Sequence, residues 1–152
     1  MEQALNGSVK RIARAEYESA ADLKHLFLVG NLQRPTPHPF VRDSRLEVIL
    51  CYYQPGDDGL FHWHREVTEY EVVVEGEVGH RDAATGEIHW FGPGDVRALA
   101  PGVCCQRVIR QQARTVAIKV PSSSEKVHCA QCDRECPSRV APQQEASCES
   151  RL

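Results

Sequence analysis

Two histidines and a glutamate near the middle of the chain have a spacing that a metal ion can use. His62 and His64 are separated by one residue, and Glu69 follows shortly after them. Side chains at positions i and i+2 of a β-strand point to the same face, so both imidazoles should project together, with Trp63 on the opposite face. A short hairpin through residues 65–68 would bring Glu69 alongside them. The spacing therefore predicts two imidazoles and one carboxylate on one side of a metal ion.

This ligand set suggests a class of chemistry. Two histidines and one carboxylate with open coordination positions are the ligands of non-haem Fe(II) oxygenases. The same donors also accept Mn, Ni, Co or Zn. We therefore predict one divalent metal ion in the domain, with Fe(II) favoured.

A second carboxylate should face the same interior. Glu71 lies two residues beyond Glu69 on the same predicted strand. Burying a carboxylate without a partner is costly, so Glu71 would orient a histidine through a hydrogen bond or serve as a general base. The alternative is that the site is open to water there and Glu71 is solvated.

The stretch from Gly56 to Gly76 also resembles the first conserved motif of the cupin family. That motif is Gly, five residues, His-x-His, three or four residues, Glu, six residues and Gly, and every anchor residue is present. The resemblance implies an all-β fold, a cupin-type antiparallel β-barrel (double-stranded β-helix or jelly roll). It also implies a metal site and a homodimer.

The second cupin motif is matched only in part. Its usual form is Gly, five residues, Pro-x-Gly, two residues, His, three residues and Asn. Gly94 and Gly102 match, but Cys105 stands at the histidine position and Ile109 at the asparagine position. Cys105 could be a thiolate ligand, a reactive thiol or a small buried hydrophobic residue. The expected fourth ligand is therefore either sulfur or missing.

The elements that must position these residues are short strands. From residue 45 to 120, β-rich runs alternate with Gly/Pro turns, which predicts an antiparallel sandwich or barrel. Residues 1–44 are predicted to pack on the barrel and to include a short helix over Ser19–Phe27, with Ser19 as its N-cap. Residues 121–152 form a polar, Cys-rich tail that cannot build a hydrophobic core of its own.

The tail carries four of the seven cysteines. Cys129-x2-Cys132 is a knuckle-like pair, and Cys136 and Cys148 could complete four ligands for a structural zinc ion. The alternative is a disordered tail with unbound thiols.

Other polar residues of the later strands are expected to lie outside the site. One of Arg97, Arg107 and Arg110 could bind a substrate carboxylate through paired hydrogen bonds, but strand arginines are usually solvated, so we expect each at the surface. His80 and His89 fall in a predicted hairpin and are not expected to be ligands.

Composition limits the classes of molecule that the chain is expected to bind. At 152 residues the chain is about one domain long, and its net charge of −3 gives no electrostatic reason to expect nucleic acid or an anionic membrane. Its apolar runs are too short to span a bilayer, and the N-terminus lacks the apolar core of a secretory signal. We therefore expect a cytoplasmic protein that acts on a small molecule.

Three functions remain open from the sequence. The first is a metal-dependent oxygenase or dioxygenase acting on a small polar or anionic substrate. The second is a metal-dependent sugar isomerase or epimerase with Glu71 as proton carrier, which the lack of a clear basic cluster near the motif disfavours. The third is a non-enzymatic ligand-binding or redox-sensing module, with Cys105 and the tail cysteines as the sensor.

Overall fold

A computed structural model describes residues 2–4, 9–18 and 24–129 of the chain. In these ranges there are twelve strands and one short helix. They are, in order, β1 (Glu2–Ala4), α1 (Arg14–Glu18), β2 (His25–Val29), β3 (Phe40–Arg42), β4 (Glu47–Tyr53), β5 (His62–Trp63), β6 (Thr68–Glu75), β7 (Val78–Asp82), β8 (Ile88–Phe91), β9 (Val96–Leu99), β10 (Cys105–Val108), β11 (Ala113–Val120) and β12 (Val127–His128). Within the same ranges, no helix has the length and apolar character that crossing a membrane requires.

The strands form two sheets. One sheet has seven strands in the order β1-β3-β2-β4-β11-β6-β9, and the other has five in the order β12-β5-β10-β7-β8. Pairing is antiparallel except for the parallel contacts of β3 with β1 and β2. The main apolar cluster contains Ile49 and Val73 from the larger sheet and Val78 from the smaller one. The predicted all-β jelly roll is confirmed.

The inner face of the larger sheet changes from apolar to polar along its strands. On β4 and β11 every second side chain is buried, as the two-residue period of a strand requires. Around Ala113 and Val73 these positions are small or apolar, and they pack in the core. Towards the other end, Lys119 lies opposite both Glu47 and Glu69 in the strand register. The polar end of the barrel interior is therefore where a functional site can form.

Two local predictions are wrong. The helix expected over Ser19–Phe27 is not formed at residues 25–27, which belong to β2 and pair with β4, while residues 19–23 lie outside the described ranges. Complete burial of Leu26 accompanies this strand pairing, so tertiary packing overrides the local helical pattern. The expected hairpin through residues 65–68 is also absent, because β5 and β6 belong to different sheets.

The smaller sheet continues beyond residue 120. Strand β12 pairs with β5, placing His128 opposite His62, and the Cys129 amide donates to the Phe61 carbonyl oxygen at 2.8 Å. Residues 121–129 of the predicted tail therefore lie on the barrel. Cys132, Cys136 and Cys148 lie outside the described residues.

Candidate functional site

The polar end of the barrel holds a cavity of about 100 Å³. Most of its lining side chains can carry charge, bind a metal or transfer a proton. They include His25, His62, His80, Glu69, Glu71, Arg97, Cys105, Arg107, Lys119 and Lys126. The cavity is large enough for a few water molecules or a small ligand.

His62 and His64 are fixed in one tautomer by the backbone. The His62 Nδ1–H donates to the Leu60 carbonyl oxygen at 3.0 Å, and the His64 Nδ1–H donates to the Glu125 carbonyl oxygen. Because a carbonyl oxygen only accepts, Nδ1 carries the proton and Nε2 of a neutral ring keeps a lone pair. Burial lowers the pKa of His62 to about 3, so that ring is neutral. This is the tautomer that metal-binding histidines use.

The His64 Nε2 atom faces the Glu69 carboxylate. It lies 3.5 Å from Glu69 Oε2, and it is buried without a hydrogen-bond partner among the described residues. The His62 and His64 rings are 5.6 Å apart between centroids, while Trp63 packs against a separate apolar cluster. Both imidazoles thus lie on a different side of the chain from Trp63, as predicted.

Arg97 joins the two glutamates of β6. Its guanidinium donates to Glu69 Oε1 and, at 3.1 Å, to Glu71 Oε2. The expectation that Arg97 is a surface residue is wrong, since it is only 5% exposed. It lies directly opposite Glu71 in the β6–β9 register, while its neighbour Val96 is exposed. The alternation of β9 therefore turns Arg97 inward.

Glu71 is fully partnered within the barrel. It accepts hydrogen bonds from His80 Nε2 at 2.9 Å and from the Thr115 hydroxyl at 2.7 Å, and it is 3% exposed. The alternative of a solvated Glu71 is therefore wrong. Burial alone would raise the pKa of Glu71, but the His80 hydrogen bond and the Arg97 charge outweigh burial and lower this pKa to about 2. The carboxylate is ionised, and it can orient His80.

His80 is a site residue that the sequence analysis did not select. Burial lowers the pKa of His80, although Glu71 opposes this shift. Its Nε2–H donates to Glu71, and its buried Nδ1 has no hydrogen-bond partner among the described residues. The sequence offered one signal for this role, namely that a buried Glu71 would need a hydrogen-bond partner nearby. His89, its cross-strand neighbour, is exposed.

Positive charges compensate the Glu69 carboxylate. Burial raises the pKa of Glu69, yet the charges of Arg97 and Lys119 hold it well below its usual value. Two ionised carboxylates thus share the Arg97 guanidinium, with His62 and His80 neutral. Lys119 lies opposite Glu69 in the strand register and lines the same cavity.

Cys105 lies beside these residues on β10. Its Cα is paired with that of His62 on β5, and the side chain is buried against the cavity. Burial raises the pKa of Cys105 to about 11, although Arg97 opposes this shift. The group is therefore a protonated thiol unless a metal ion binds it, which disfavours a reactive thiolate in the metal-free protein. Cys104 points away into the Trp63 cluster, as strand alternation predicts.

The donor set fits a divalent metal in its chemistry, but its atoms do not converge. Among residues 2–4, 9–18 and 24–129, no three His, Cys, Asp or Glu side chains are close enough together to hold an ion. One Glu69 oxygen is bound to Arg97, and only the other faces His64. The unpartnered His64 nitrogen and the fixed His62 tautomer are the two observations that favour metal binding.

A group of cations lines the outer part of the cavity. Lys119 is buried and lies 4.0 Å from Glu47, while Lys126 forms no ion pair within the described part of the chain. Burial lowers the pKa of Lys126. Arg107 stacks on Tyr53, 4.2 Å from the ring centroid. These cations are distant from the motif in the sequence, and Lys126 comes from the segment assigned to the tail.

Arg110 alone among the three candidate arginines remains at the surface. Its side chain is exposed, pairs with Glu77 and stacks on Trp90, 3.9 Å from the ring centroid. Arg107 is partly buried at the cavity, so the expectation of a surface position is wrong for it as well as for Arg97.

Comparison with known proteins supports the fold. No protein-family model and no curated protein matches the sequence. Among solved structures, a conserved protein with a double-stranded β-helix domain from Klebsiella pneumoniae is similar, with 16% identity, a TM-score of 0.53, and coverage of 63% of this chain and 89% of that one. A sugar phosphate isomerase of the cupin superfamily from Silicibacter pomeroyi has 27% identity and a TM-score of 0.50, covering 57% and 58%.

A third neighbour has the same architecture. The DMSP lyase DddQ from Ruegeria pomeroyi is 19% identical, with a TM-score of 0.54 over 68% of this chain and 50% of that one. These likenesses, with the two-sheet topology, show that the chain has the cupin fold, the double-stranded β-helix. The resemblance to the cupin superfamily is thereby confirmed.

Proposed function

We propose that this chain is a metal-dependent cupin enzyme that acts on a small anionic substrate. The observation that carries the proposal is the fixed state of two histidines. His62 and His64 each donate from Nδ1 to a backbone carbonyl, which leaves Nε2 as a donor for a metal, and His64 Nε2 lies 3.5 Å from a Glu69 oxygen. Such carbonyl contacts orient histidine ligands and raise their basicity.

The barrel metal would be held by His62, His64 and Glu69, with Cys105 as the candidate fourth donor. Fe(II) is the favoured ion, and Mn, Ni, Co or Zn suit the same donors. The bound ion would supply Lewis acidity and, as Fe(II), a position for dioxygen.

Substrate binding is assigned to the cations at the outer part of the cavity. Lys126 is the best candidate because it lines the cavity and forms no ion pair with a carboxylate of the described residues. Lys119 and Arg107 add positive charge on the same lining. Arg97 is occupied by the two glutamates and therefore acts by holding them rather than by binding substrate.

The first chemistry to test is oxygenation, the chemistry that the two-histidine, one-carboxylate set favours. The protein should be purified anaerobically, loaded with Fe(II) and assayed for oxygen uptake with small carboxylic acids and phenols. His62→Ala should lose both the metal and the uptake, whereas His89→Ala, which changes an exposed hairpin histidine, should keep both. Uptake with none of the substrates, together with full metal retention in His62→Ala, would refute this proposal.

A second chemistry is favoured by the paired Glu71 and His80. The ionised Glu71 accepts from His80 Nε2, so His80 Nδ1 is positioned to take up a proton and the carboxylate would stabilise the resulting imidazolium. Proton transfer and the cationic lining suit a sugar phosphate isomerase or epimerase, the type of enzyme named for the Silicibacter pomeroyi neighbour.

This second candidate predicts activity without oxygen. Metal-loaded protein, kept strictly anaerobic in deuterated water, should introduce deuterium into a sugar phosphate, and His80→Asn should abolish the exchange while retaining the metal. Exchange that requires oxygen, or that persists in His80→Asn, would count against it.

A further inference from the structure

A second and larger cavity adjoins the one that holds His62 and Glu69. This outer cavity has a volume of about 570 Å³, and it shares the side chains of Phe27, Lys119 and Lys126 with the inner cavity. The rest of its lining is mostly polar and includes Asn31, Gln33, Arg34, Glu47 and Ser124. A ligand in the outer cavity would therefore lie next to the candidate metal site.

Two connecting segments form the outer cavity and are fixed to the larger sheet. Residues 30–39 join β2 to β3, and residues 121–126 join β11 to β12. The Asn31 amide donates to the Ser122 hydroxyl at 2.8 Å, and this hydroxyl donates to Glu47 Oε1 on β4 at 3.3 Å. The Ser122 amide also donates to the Ser44 carbonyl oxygen at 3.3 Å. These bonds hold both segments at one edge of the cavity.

Cations outnumber carboxylates on the lining of the outer cavity. Glu47 is the one carboxylate among its described lining residues; it is 3% exposed and lies 4.0 Å from Lys119. Arg34 and Lys126 form no ion pair within residues 2–4, 9–18 and 24–129. Two positive charges therefore have no counterion in the folded chain. Burial and the like charge of Lys119 lower the pKa of Lys126, so an anion beside it would stabilise its charged form.

The donors of the outer cavity suit an oxyanion. The Arg34 guanidinium stacks on Phe27, 4.9 Å from the ring centroid. Stacking uses one face of the guanidinium and leaves its N–H edge able to donate paired hydrogen bonds to an anion. The Lys126 ammonium supplies further donors. A phosphate group carries a charge of about −1.5 to −2 at pH 7 and has three acceptor oxygens, whereas a carboxylate would compensate only one of the two cations.

Glu47 adds a site for a hydroxyl group. Its Oε2 atom is buried without a hydrogen-bond partner in the described part of the chain. A hydroxyl of a bound ligand could donate to this oxygen, which would satisfy an acceptor that is otherwise costly to bury. The outer cavity therefore combines donors for an anion with an acceptor for a hydroxyl.

We propose that Arg34 and Lys126 bind the phosphate group of a small phosphate monoester in the outer cavity. The remainder of the ligand would extend past Phe27 into the inner cavity, with a hydroxyl placed to donate to Glu47. This inference rests on the proposed function, which assigns an anionic substrate to the cations of the cavity, and it specifies phosphate as the group that they bind. It extends the binding site to Arg34, which does not line the inner cavity.

The first test is calorimetric titration of the chelator-treated full chain at neutral pH and constant ionic strength. Inorganic phosphate should bind at one site at least about tenfold more tightly than acetate, because it compensates more of the positive charge. Arg34→Met and Lys126→Met should each weaken phosphate binding about tenfold or more. Arg110→Met is the matched control, since this arginine also stacks on an aromatic ring but lines neither cavity.

Two outcomes of this titration would overturn the proposal. One is phosphate binding no tighter than that of acetate. The other is an equal loss of affinity in Arg34→Met, Lys126→Met and Arg110→Met, which would show that phosphate responds only to the net charge of the protein.

A second test needs no variant. Glycerol 3-phosphate, a phosphate monoester with hydroxyl groups, should bind at least as tightly as inorganic phosphate. In NMR spectra it should shift the amide signals of Asn31, Gln33 and Ser124 but not those of Gly86 and Glu87, which lie in a turn of the smaller sheet. Weaker binding of the ester, or shifts absent from the outer cavity, would refute the assignment. Because neither titration requires metal or turnover, failure of the phosphate site is distinguishable from failure of the metal-dependent function.

Discussion

Arg97 is the residue whose removal should most disturb the candidate site. Its guanidinium bonds to both Glu69 and Glu71, and it is 5% exposed. Arg97→Met keeps much of the aliphatic volume but removes the charge and all the donors. The variant would leave two buried carboxylates facing each other from positions i and i+2 of one strand.

The expected loss of stability in Arg97→Met follows from the burial of Arg97 and of the two glutamates. Removing one partner of a buried ion pair typically costs about 3–5 kcal/mol, because the remaining charge has no compensation. Glu71 retains His80 and Thr115 as hydrogen-bond donors, so we expect about 3–4 kcal/mol rather than the sum of two broken pairs. Arg110→Met, which removes an exposed ion pair, should cost about 1 kcal/mol or less.

The assay is urea denaturation of chelator-treated protein at neutral pH. Combining Arg97→Met with Glu71→Gln should recover at least about 1 kcal/mol, since the second change removes one uncompensated charge. A divalent ion should stabilise Arg97→Met more than wild type, because the ion replaces the lost positive charge. A loss below about 1 kcal/mol, similar to that of Arg110→Met, would show that the guanidinium does not hold the carboxylates and would refute this reasoning.

Two further predictions concern His62 and the last glycine of the motif. Burial lowers the pKa of His62 from 6.5 to about 3, so below pH 6.5 the unfolded state binds protons more strongly than the folded state. Between pH 7 and 5, the free energy of unfolding of the metal-free wild type should therefore fall by about 1–2 kcal/mol more than that of His62→Gln. Equal losses of unfolding free energy in urea titrations of the two proteins would contradict this. Glu71 does not interfere, because its carboxylate, with a pKa of about 2, affects the pH dependence of stability only below about pH 4.5. Gly76→Ala should cost at least about 2 kcal/mol in the same assay, because φ is 75° and the new Cβ would lie 2.0 Å from the Gln112 carbonyl oxygen. Gly94→Ala, whose Cβ meets nothing within 4 Å, should lower the free energy of unfolding by only about 1 kcal/mol. Equal losses for the two variants would contradict the role of the close contact at Gly76.

Much of the barrel could be predicted from short-range patterns. The alternation of short strands and Gly/Pro turns is found between β8 and β9, because the turn between them is fixed locally: the Asp95 carboxylate accepts from the Gly92 amide at 2.7 Å, and Gly94 has a φ of 89°. The inward direction of Glu71 could also be predicted, because it lies two residues after Glu69 on the same strand. The helix expected over Ser19–Phe27 failed because burial of Leu26 against another strand, and not local propensity, decided the structure.

The site itself was only partly predictable. A strand arginine that is solvated and one that is buried have the same local sequence, so nothing near Arg97 revealed that it would bind a carboxylate 26 residues away. Lys126 was missed for a similar reason, since a polar composition marked its segment as a tail. The pairing of β12 with β5 brought that segment back to the barrel.

By itself, the sequence determined the cupin fold and the side of the chain on which His62, His64 and Glu71 lie, because strand periodicity and glycine turns act over a few residues. Tertiary structure decided the tautomer of His64, whose partner carbonyl is 61 residues away, and the meeting of Cys104 with Cys129, 25 residues apart. Such contacts depend on which strands pair and in what register. Local patterns of residue type do not specify those pairings, so the charges and donors of this site became visible only in the folded barrel.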